Sequence, residues 1–349
     1  MISMMKNTLL LSSLLLLIFS CTQKEQSATM SSVKSSEDRP EYAMVLHGGA
    51  GTILKKNMTQ DLENQYIAKM NEALDAGEAI LKNGGSSIDA VEQTIHILED
   101  SPLFNAGKGA VFTNEGKNEM DASIMYGADQ NAGAVGGVTN IKHPISAARA
   151  VMEQSDHVMM VGLGAEAFAG SHGLEIIDPS YFYTERRWKS LQRIKESEVI
   201  KSELSEDDGS DKKHGTVGCV ALDKNGNICA GTSTGGMTNK RYNRIGDSPI
   251  IGAGTFADNA TCGVSSTGHG EFFIRYTVAR DIAALMEYGN KSLQEAGEMI
   301  INKKLVEKGG TGGVVALDKD GNIAMPFNTP GMYRGYAKPG ERVVKIYND

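Results

Sequence analysis

The sequence is poor in the residues from which metal centres and disulfide frameworks are built. It has four cysteines and seven histidines in 349 residues. No pair of them has the spacing of a zinc site, and no His-Glu-x-x-His segment occurs. The common zinc-binding patterns are therefore excluded. Once Cys21 is set apart, for the reason given below, the odd set Cys219, Cys229 and Cys262 predicts buried free thiols rather than disulfides.

An excess of positive charge is also missing. The chain has 35 Lys and Arg residues against 43 Asp and Glu residues, a net charge of -8. Such a balance gives no basic face on which phosphates could be neutralised, so nucleic acid is excluded as a partner. The 40% of hydrophobic residues is enough for one large core or two modest ones.

The N-terminal apolar run, Thr8 to Phe19, is too short to span a bilayer comfortably. It follows Lys6 and has the length of the apolar part of an export signal. It ends at Ser20-Cys21, which resembles a bacterial lipobox, where the cysteine is lipidated and becomes the mature N-terminus. We therefore expect a signal peptide (1–20), lipidation of Cys21, a disordered polar tether (22–40) and export to the periplasm or cell envelope. Membrane contact would be through the lipid alone. Simple secretion with an incidental cysteine is the alternative.

The rest of the chain, 41–349, is predicted to form a single domain of mixed helices and strands. A short strand from Ala43 to Leu46 leads into a glycine-rich turn, His47 to Gly51. Two hairpins are predicted by Asn-Gly and Asp-Gly turns, at 223–227 and 318–322. Helices are predicted at 58–82, from Ser86 or Ser87 through Leu98, and at 143–153, 181–196, 270–288 and 292–305; further strands at 120–125, 133–139, 250–257 and 262–266. Helices, then sheet, then helices indicate a layered α+β sandwich.

One glycine-rich segment imitates a cofactor site. Gly162-Leu163-Gly164 follows the apolar residues Val158 to Val161, and Asp178 comes later, as in a dinucleotide fingerprint. No series of alternating strands and helices surrounds it, so a strand-to-helix turn that needs small residues is the favoured interpretation.

The segment most informative about chemistry is His214-Gly215-Thr216-Val217-Gly218. It follows a charged run, residues 203–213, that cannot bury apolar surface, and it leads into the apolar pattern of a strand. A threonine hydroxyl beside a glycine carbonyl can attack that carbonyl, since glycine tolerates unusual backbone geometry. The freed α-amine, with a reference pKa of about 7.7 to 8.0, could then act as general base. Thr216 is thus a candidate N-terminal nucleophile, preceded by a tail, about 197–213, that is expected to be disordered.

Several motifs in order resemble those of the plant-type asparaginase and isoaspartyl peptidase family, which are N-terminal nucleophile hydrolases. They are His47 to Gly51, His214 to Gly218, Thr232 to Lys240, Arg244 to Pro249, Thr267 to Glu271 and Phe327 to Thr329. The resemblance implies a four-layer αββα sandwich and self-cleavage between Gly215 and Thr216. The products would be an α chain ending at about residue 215 and a β chain, 216–349, assembled as a dimer of αβ heterodimers. It also implies hydrolysis of β-aspartyl dipeptides and of the side-chain amide of L-asparagine, with no cofactor required.

The resemblance assigns roles to individual residues. Thr216 would be the nucleophile, Thr234 would tune it, and Thr267 with the Gly268 N–H would form the oxyanion hole. Arg244 would hold the substrate α-carboxylate and Asp247 its α-ammonium, with help from the Gly270 carbonyl, while Asn105 would position the substrate. A structural sodium would be held by backbone carbonyls of a loop that includes Leu98, Glu99, Ser101, Phe104, Ala106 and Lys108. Without the motifs, Arg244 and Asp247 would be an ordinary ion pair.

Three other functions remain open at this point. A glycosylasparaginase would use the same chemistry but carries Asp before the threonine, where this chain has Gly215. A serine hydrolase is suggested by Gly231-Thr232-Ser233-Thr234-Gly235, with Asp247 and His269 following, although no helix is predicted directly after Ser233. A lipoprotein that binds amino acids without cutting itself is the third. His269 has no assigned role beyond packing.

Overall fold

The computed structural model describes residues 39–204 and 215–348, without side chains at 199–204. The predicted signal peptide, Cys21, the tether up to residue 38 and residues 205–214 lie outside this range. The strands are β1 Ala43–Gly51, β2 Met120–Tyr126, β3 Ala132–Val138, β4 Met159–Val161, β5 Val217–Leu222, β6 Ile228–Thr234, β7 Thr255–Ala257, β8 Cys262–Gly268, β9 Gly312–Asp318, β10 Ile323–Ala324, β11 Gly331–Lys338 and β12 Glu341–Tyr347. The α-helices are α1 Gln60–Lys82, α2 Ser87–Glu99, α3 Pro144–Gln154, α4 Gly162–Ser171, α5 Glu185–Leu204, α6 Gly270–Arg275, α7 Val278–Glu287 and α8 Leu293–Glu298.

The strands form two sheets packed face to face. One has eight strands in the order β12-β11-β1-β5-β6-β2-β3-β4, and the other has four in the order β10-β9-β8-β7. Helices α1, α2 and α3 cover the outer face of the large sheet, while α7 and α8 cover the outer face of the small one. The predicted four-layer αββα sandwich is confirmed.

The central strands β1, β5 and β6 are buried along almost their whole length because both of their faces are covered. In β1, Met44 and Leu46 belong to the core beneath the helices, whereas Ala43 and Val45 belong to the core between the sheets. Strand β5 alternates in the same way and pairs with β1 on one side and β6 on the other. The chain just before β5 therefore lies at the middle of the large sheet.

The predicted cap of α2 and the two predicted hairpin turns are confirmed. The side chain of Ser86 caps α2, and that of Thr59, which was not predicted as a cap, caps α1. In the first hairpin, the Asp223 carboxylate accepts from the N–H groups of Asn225 and Asn227, and Gly226 has a positive φ of 85°. The second hairpin repeats this arrangement around Asp318. The three cysteines of the described residues are buried and free, as predicted.

Four boundary predictions are wrong. His47 to Gly51 is part of strand β1, with a bulge between His47 and Gly49, rather than a turn after it. The predicted helix at 270–288 is broken at Thr277, whose φ of 44° is left-handed. The strand at 250–257 is reduced to its last three residues, and β11 and β12 were not predicted. Helix α5 extends to Leu204, so the tail expected from about residue 197 is helical over its first part.

Candidate active site

The hydroxyl of Thr216 lies at the start of the central strand β5, next to the peptide bond that it is predicted to attack. Its Oγ1 is 2.7 Å from the carbonyl oxygen of Gly215 and 3.2 Å from Oγ1 of Thr234. Thr234 is the last residue of β6, and Thr216 lies next to β5, so the pairing of the two strands brings the threonines together. Thr216 is only 6% exposed.

The Gly215 carbonyl oxygen accepts two further hydrogen bonds. Asn105 Nδ2 donates to it at 2.8 Å and Thr234 Oγ1 at 3.0 Å. Asn105 is held in place because its Oδ1 accepts from the Val111 N–H, while its Nδ2 also reaches the Gly236 carbonyl. Donors aimed at a carbonyl oxygen stabilise the charge that develops there during attack. In the uncleaved chain, the side chains of Asn105 and Thr234 are these donors.

The bulge in β1 brings a backbone strand against the same peptide bond. Gly49 has a φ of 108°, and a Cβ at this position would lie 3.1 Å from Gly215 Cα and 3.2 Å from the Thr216 nitrogen. Both conditions favour glycine here. The next residue, Ala50, donates its N–H to Thr267 Oγ1 at 3.2 Å. Because that oxygen is used as an acceptor, the hydroxyl proton of Thr267 remains available for donation.

Arg244, Asp247 and Gly270 are also brought together. A Cβ on Gly270 would be 2.8 Å from Arg244 Nη2 and 2.9 Å from Asp247 Oδ1. Glu271 braces Arg244 through a bidentate pair, with Nε donating at 2.9 Å and Nη2 at 3.0 Å. Burial alone would raise the pKa of Glu271, but the bonds to Arg244 outweigh it and lower the pKa to about 2. Sequence reasoning missed this role of Glu271, although it lies in a quoted motif.

Asp247 is buried, and one of its carboxylate oxygens can still accept a hydrogen bond. Its Oδ2 has no hydrogen-bond partner among the described residues. Burial raises the pKa of Asp247 to about 7, against the opposing effect of Arg244. An added cation near this carboxylate would therefore be favourable, as the predicted contact with a substrate ammonium requires.

Two sets of buried polar side chains near the site were not predicted from the sequence. Lys240 is 1% exposed and donates to the Glu119 carbonyl at 2.9 Å, while burial raises the pKa of Asp121 against the effect of Lys240. A chain of hydrogen-bonded side chains also crosses the space between the sheets. It consists of Ser123, Thr255, Thr232, Ser265 and His47. The sequence predicts that these hydroxyl residues lie in strands. It does not predict that the faces of the two sheets that carry them pack together.

The geometry does not favour the serine hydrolase. Ser233 lies between Thr232 and Thr234 in β6, so its side chain is on the opposite face of the sheet. Its hydroxyl is fully buried and donates to Glu99 Oε1 at 2.6 Å. His269 lies 3.2 Å from Glu271 in an ion-pair contact. The dinucleotide-like segment is the predicted strand-to-helix turn between β4 and α4.

In the loop after α2, several backbone carbonyl oxygens lie close to the glycines of the same loop. A Cβ on Gly109 would be 1.9 Å from the Phe104 carbonyl oxygen and 3.0 Å from that of Ser101, and a Cβ on Gly107 would be 2.3 Å from that of Glu99. Oxygen donors of this kind fit a hard cation such as sodium. Lys108 instead places its ammonium 4.9 Å from the centre of the Tyr181 ring. Within 39–204 and 215–348, no group of three or more acidic, His or Cys side chains could hold a metal.

A four-layer sandwich with a threonine at the start of a central strand is the architecture of N-terminal nucleophile hydrolases. Residues 40–345 match the asparaginase family, and the chain belongs to that family. It is 48% identical to the isoaspartyl peptidase of Salmonella typhimurium over 299 residues, covering 85% of this chain and 96% of that one. The isoaspartyl peptidase of Escherichia coli has the same identity, with 85% and 93% covered. The plant-type L-asparaginase of Pyrococcus abyssi is 41% identical, with 85% and 97% covered.

The prediction of export to the periplasm or cell envelope, with a lipid anchor at Cys21, is wrong. Relatives from bacteria, a plant and an animal, at 39–48% identity, are named isoaspartyl peptidase or L-asparaginase, and none of these names indicates export. The described helices include none that is long and apolar enough to cross a membrane. A short apolar run followed by cysteine was weak evidence, because so few positions define the pattern.

Proposed function

We propose that this protein is a threonine hydrolase that cuts its own chain between Gly215 and Thr216 and then hydrolyses β-aspartyl dipeptides and L-asparagine. The observation that carries the proposal is the arrangement at one peptide bond. The Thr216 hydroxyl lies beside the Gly215 carbonyl, and Asn105 and Thr234 donate to that carbonyl's oxygen. Relatives named isoaspartyl peptidase and L-asparaginase support the choice of substrate.

In maturation, Thr216 Oγ attacks the Gly215 carbonyl carbon and loses its proton. The carbon–nitrogen bond then breaks, the nitrogen gains a proton and becomes the α-amine of Thr216, and Gly215 is held as an ester on Oγ. Water hydrolyses this ester, which leaves a carboxylate on Gly215 and restores the hydroxyl. The α chain then ends at residue 215, and the β chain comprises 216–349.

In turnover, the free α-amine accepts the proton as Thr216 Oγ attacks the side-chain carbonyl of the substrate. Thr267 and the Gly268 N–H donate to the oxyanion, and Thr234 donates to the nucleophile. Arg244 binds the α-carboxylate, and Asp247 with the Gly270 carbonyl binds the α-ammonium. Ammonia or an amino acid departs with the proton, and water releases aspartate from the acyl-enzyme. No cofactor takes part.

Two further parts of the proposal concern structure rather than chemistry. The carbonyls of Glu99, Ser101 and Phe104 would hold a sodium ion that stabilises the loop carrying Asn105. The αβ unit would form a dimer, and the exposed apolar side chains of Val158, Val161 and Leu163 beside β4 are surface that a partner could cover.

The test is intact mass spectrometry of purified protein at neutral pH, followed by assays with β-aspartyl-leucine and L-asparagine. Two fragments that meet at Gly215 and Thr216, with release of aspartate from both substrates, are the expected result. An uncut chain that binds L-aspartate without hydrolysing either substrate would replace the proposal with the binding-protein function.

A further inference from the structure

A cavity of about 550 Å³ lies on one side of the Gly215–Thr216 bond. Gly49, Gly215 and Gly268 form the wall nearest to the bond, whereas Arg244 and Asp247 are not part of the lining. The cavity is therefore separate from the pair that would bind the aspartyl head group. Since Gly215 forms part of the wall in the uncleaved chain, movement of Gly215 after the cut would open the cavity toward the Thr216 hydroxyl.

Two arginines from the start of α5, Arg186 and Arg187, line this cavity. Their hydrogen-bond partners are neutral: Arg187 Nε donates to the Gly109 carbonyl at 2.8 Å, and Arg186 Nη2 donates to the Tyr66 hydroxyl at 2.8 Å. Within the described ranges no carboxylate pairs with either guanidinium. Burial and the neighbouring Arg186 lower the pKa of Arg187 to about 10, so Arg187 is still a cation at neutral pH.

The remaining walls of the cavity are partly apolar and partly polar. Ile53, Leu54, Met58 and Tyr333 belong to the apolar part. The volume is in the range of small-molecule sites, which combine apolar walls with a few charged groups that orient the ligand. Two guanidinium groups with unused donors match a carboxylate, because their planar fork accepts it in a bidentate manner.

We propose that this cavity is the leaving-group subsite of the enzyme, in which Arg186 and Arg187 bind the free α-carboxylate of the amino acid released from a β-aspartyl dipeptide. The side chain of that amino acid packs on the apolar wall. The inference rests on the proposed function and adds a specificity to it. Substrates whose second residue is apolar and ends in a free carboxylate are preferred.

The role follows from the bond that is broken. When the bond between the aspartyl side-chain carbonyl carbon and the second residue's nitrogen breaks, the proton from Thr216 Oγ reaches that nitrogen through the α-amine. The second residue then leaves as an amino acid on the cavity side. With L-asparagine the leaving group is ammonia, which has no carboxylate for the arginines to bind. The cavity therefore distinguishes dipeptides from L-asparagine at a single nucleophile.

The experiment compares three substrates on the self-cleaved protein: β-aspartyl-leucine, β-aspartyl-leucinamide and L-asparagine. In the unaltered protein, kcat/KM for the amide should be about tenfold below that for the free acid, since an ionic hydrogen bond is lost. In Arg187→Gln and Arg186→Gln, the ratio of kcat/KM for β-aspartyl-leucine to that for L-asparagine should fall by about tenfold. Arg187→Lys should recover part of this ratio. Arg193→Gln, on an exposed turn of the same helix, is the control and should keep the ratio.

Equal kcat/KM for the free acid and the amide in the unaltered protein would overturn the inference while leaving the proposed function intact. So would an unchanged substrate ratio in both glutamine variants. Failure of the proposed function looks different, because neither β-aspartyl-leucine nor L-asparagine would then be hydrolysed. The amide comparison needs no variant, so it holds even where a substitution prevents folding.

Discussion

Thr216 and Thr234 share one acceptor, the carbonyl oxygen of Gly215. Their hydroxyl oxygens lie 2.7 and 3.0 Å from it and 3.2 Å from each other. The same two side chains can therefore serve the cut in the chain and the later turnover of substrate, because both reactions place a carbonyl beside Thr216. The donors to the carbonyl differ between the two reactions: Asn105 and Thr234 donate to the Gly215 carbonyl, whereas Thr267 and the Gly268 N–H are proposed for the substrate.

Removal of the Thr216 hydroxyl should abolish both reactions. Thr216→Ala is expected to remain a single chain and to release no aspartate from either substrate, because nucleophile and maturation site are lost together. Ser233→Ala, the matched control, removes a hydroxyl from the opposite face of the sheet and should still cut itself. Intact mass and aspartate release measure the outcome. Self-cleavage of Thr216→Ala, or loss of self-cleavage in Ser233→Ala alone, would contradict the assignment of Thr216 as the nucleophile.

Asn105 should matter for the speed of self-cleavage. Asn105→Asp keeps the acceptor for the Val111 N–H but removes the donor to the Gly215 carbonyl. Loss of one such donor typically costs about 10² to 10³ in rate. The rate is followed by the appearance of the two fragments with time. Asn114→Asp, a change of the same kind away from the scissile bond, is the control, and equal rates in the two variants would exclude the role of Asn105.

Asp247 should set part of the pH dependence. Its pKa is raised to about 7 by burial, so the carboxyl is protonated below pH 7 and ionised above it. Only the ionised form attracts a substrate ammonium. The α-amine also loses activity on protonation, so the slope of log kcat/KM against pH should approach 2 below pH 7. In Asp247→Asn the slope should approach 1, and kcat/KM at pH 8 should fall by about 10- to 100-fold. A slope of 1 in the unaltered protein would argue against Asp247.

Glu99 should make the fold less stable as the pH rises. Burial raises its pKa to about 8 from an ordinary 4.5, despite the bonds from Ser233 and the Ile145 N–H. The folded state thus binds the proton more tightly than the unfolded state. Its contribution is full below pH 4.5 and is lost as the pH rises through 8, with a slope of up to about 1.4 kcal/mol per pH unit.

That slope can be measured by urea unfolding of the single-chain Thr216→Ala variant between pH 5 and 8. Adding Glu99→Gln should flatten the decline of the free energy of unfolding, because the amide cannot ionise. Glu115→Gln, at an exposed position, should leave the decline as it was. An undiminished decline with glutamine at position 99 would mean that Glu99 is not its source.

Glu271 should act by holding Arg244. Glu271→Gln keeps the shape but loses the charge of the bidentate pair, so the guanidinium is less well fixed. We expect KM to rise several-fold for both substrates with little change in kcat, because the bond-breaking groups are untouched. Glu287→Gln, which alters a surface pair with Arg280, is the control. A change confined to kcat would place Glu271 in the chemistry instead.

The sequence alone determined the family and the layered fold, and it predicted the chemistry that is proposed for Thr216. Thr216 after Gly215, the spaced motifs that follow it and the two glycine turns are local patterns, and local patterns are what a sequence displays. The apolar alternation likewise predicted sheets between helices. The sequence could not determine the bulge that makes Gly49 face Gly215, because a bulge depends on the partner strand β11 as much as on β1 itself.

Only the tertiary structure decided which groups meet. Asn105 and Gly215 are 110 positions apart, and they meet because the loop after α2 passes beside the start of β5. The sequence motif left Ser233 open as a nucleophile. In the structure, side chains alternate along β6, and that of Ser233 lies on the face toward Glu99. Arg186 and Arg187 lie in the helix predicted at 181–196, and the cavity that they line is formed by segments distant in the chain. Burial raises the pKa of Asp247 and of Glu99. Burial depends on how the whole chain packs, so it cannot be inferred from the identity of these two residues.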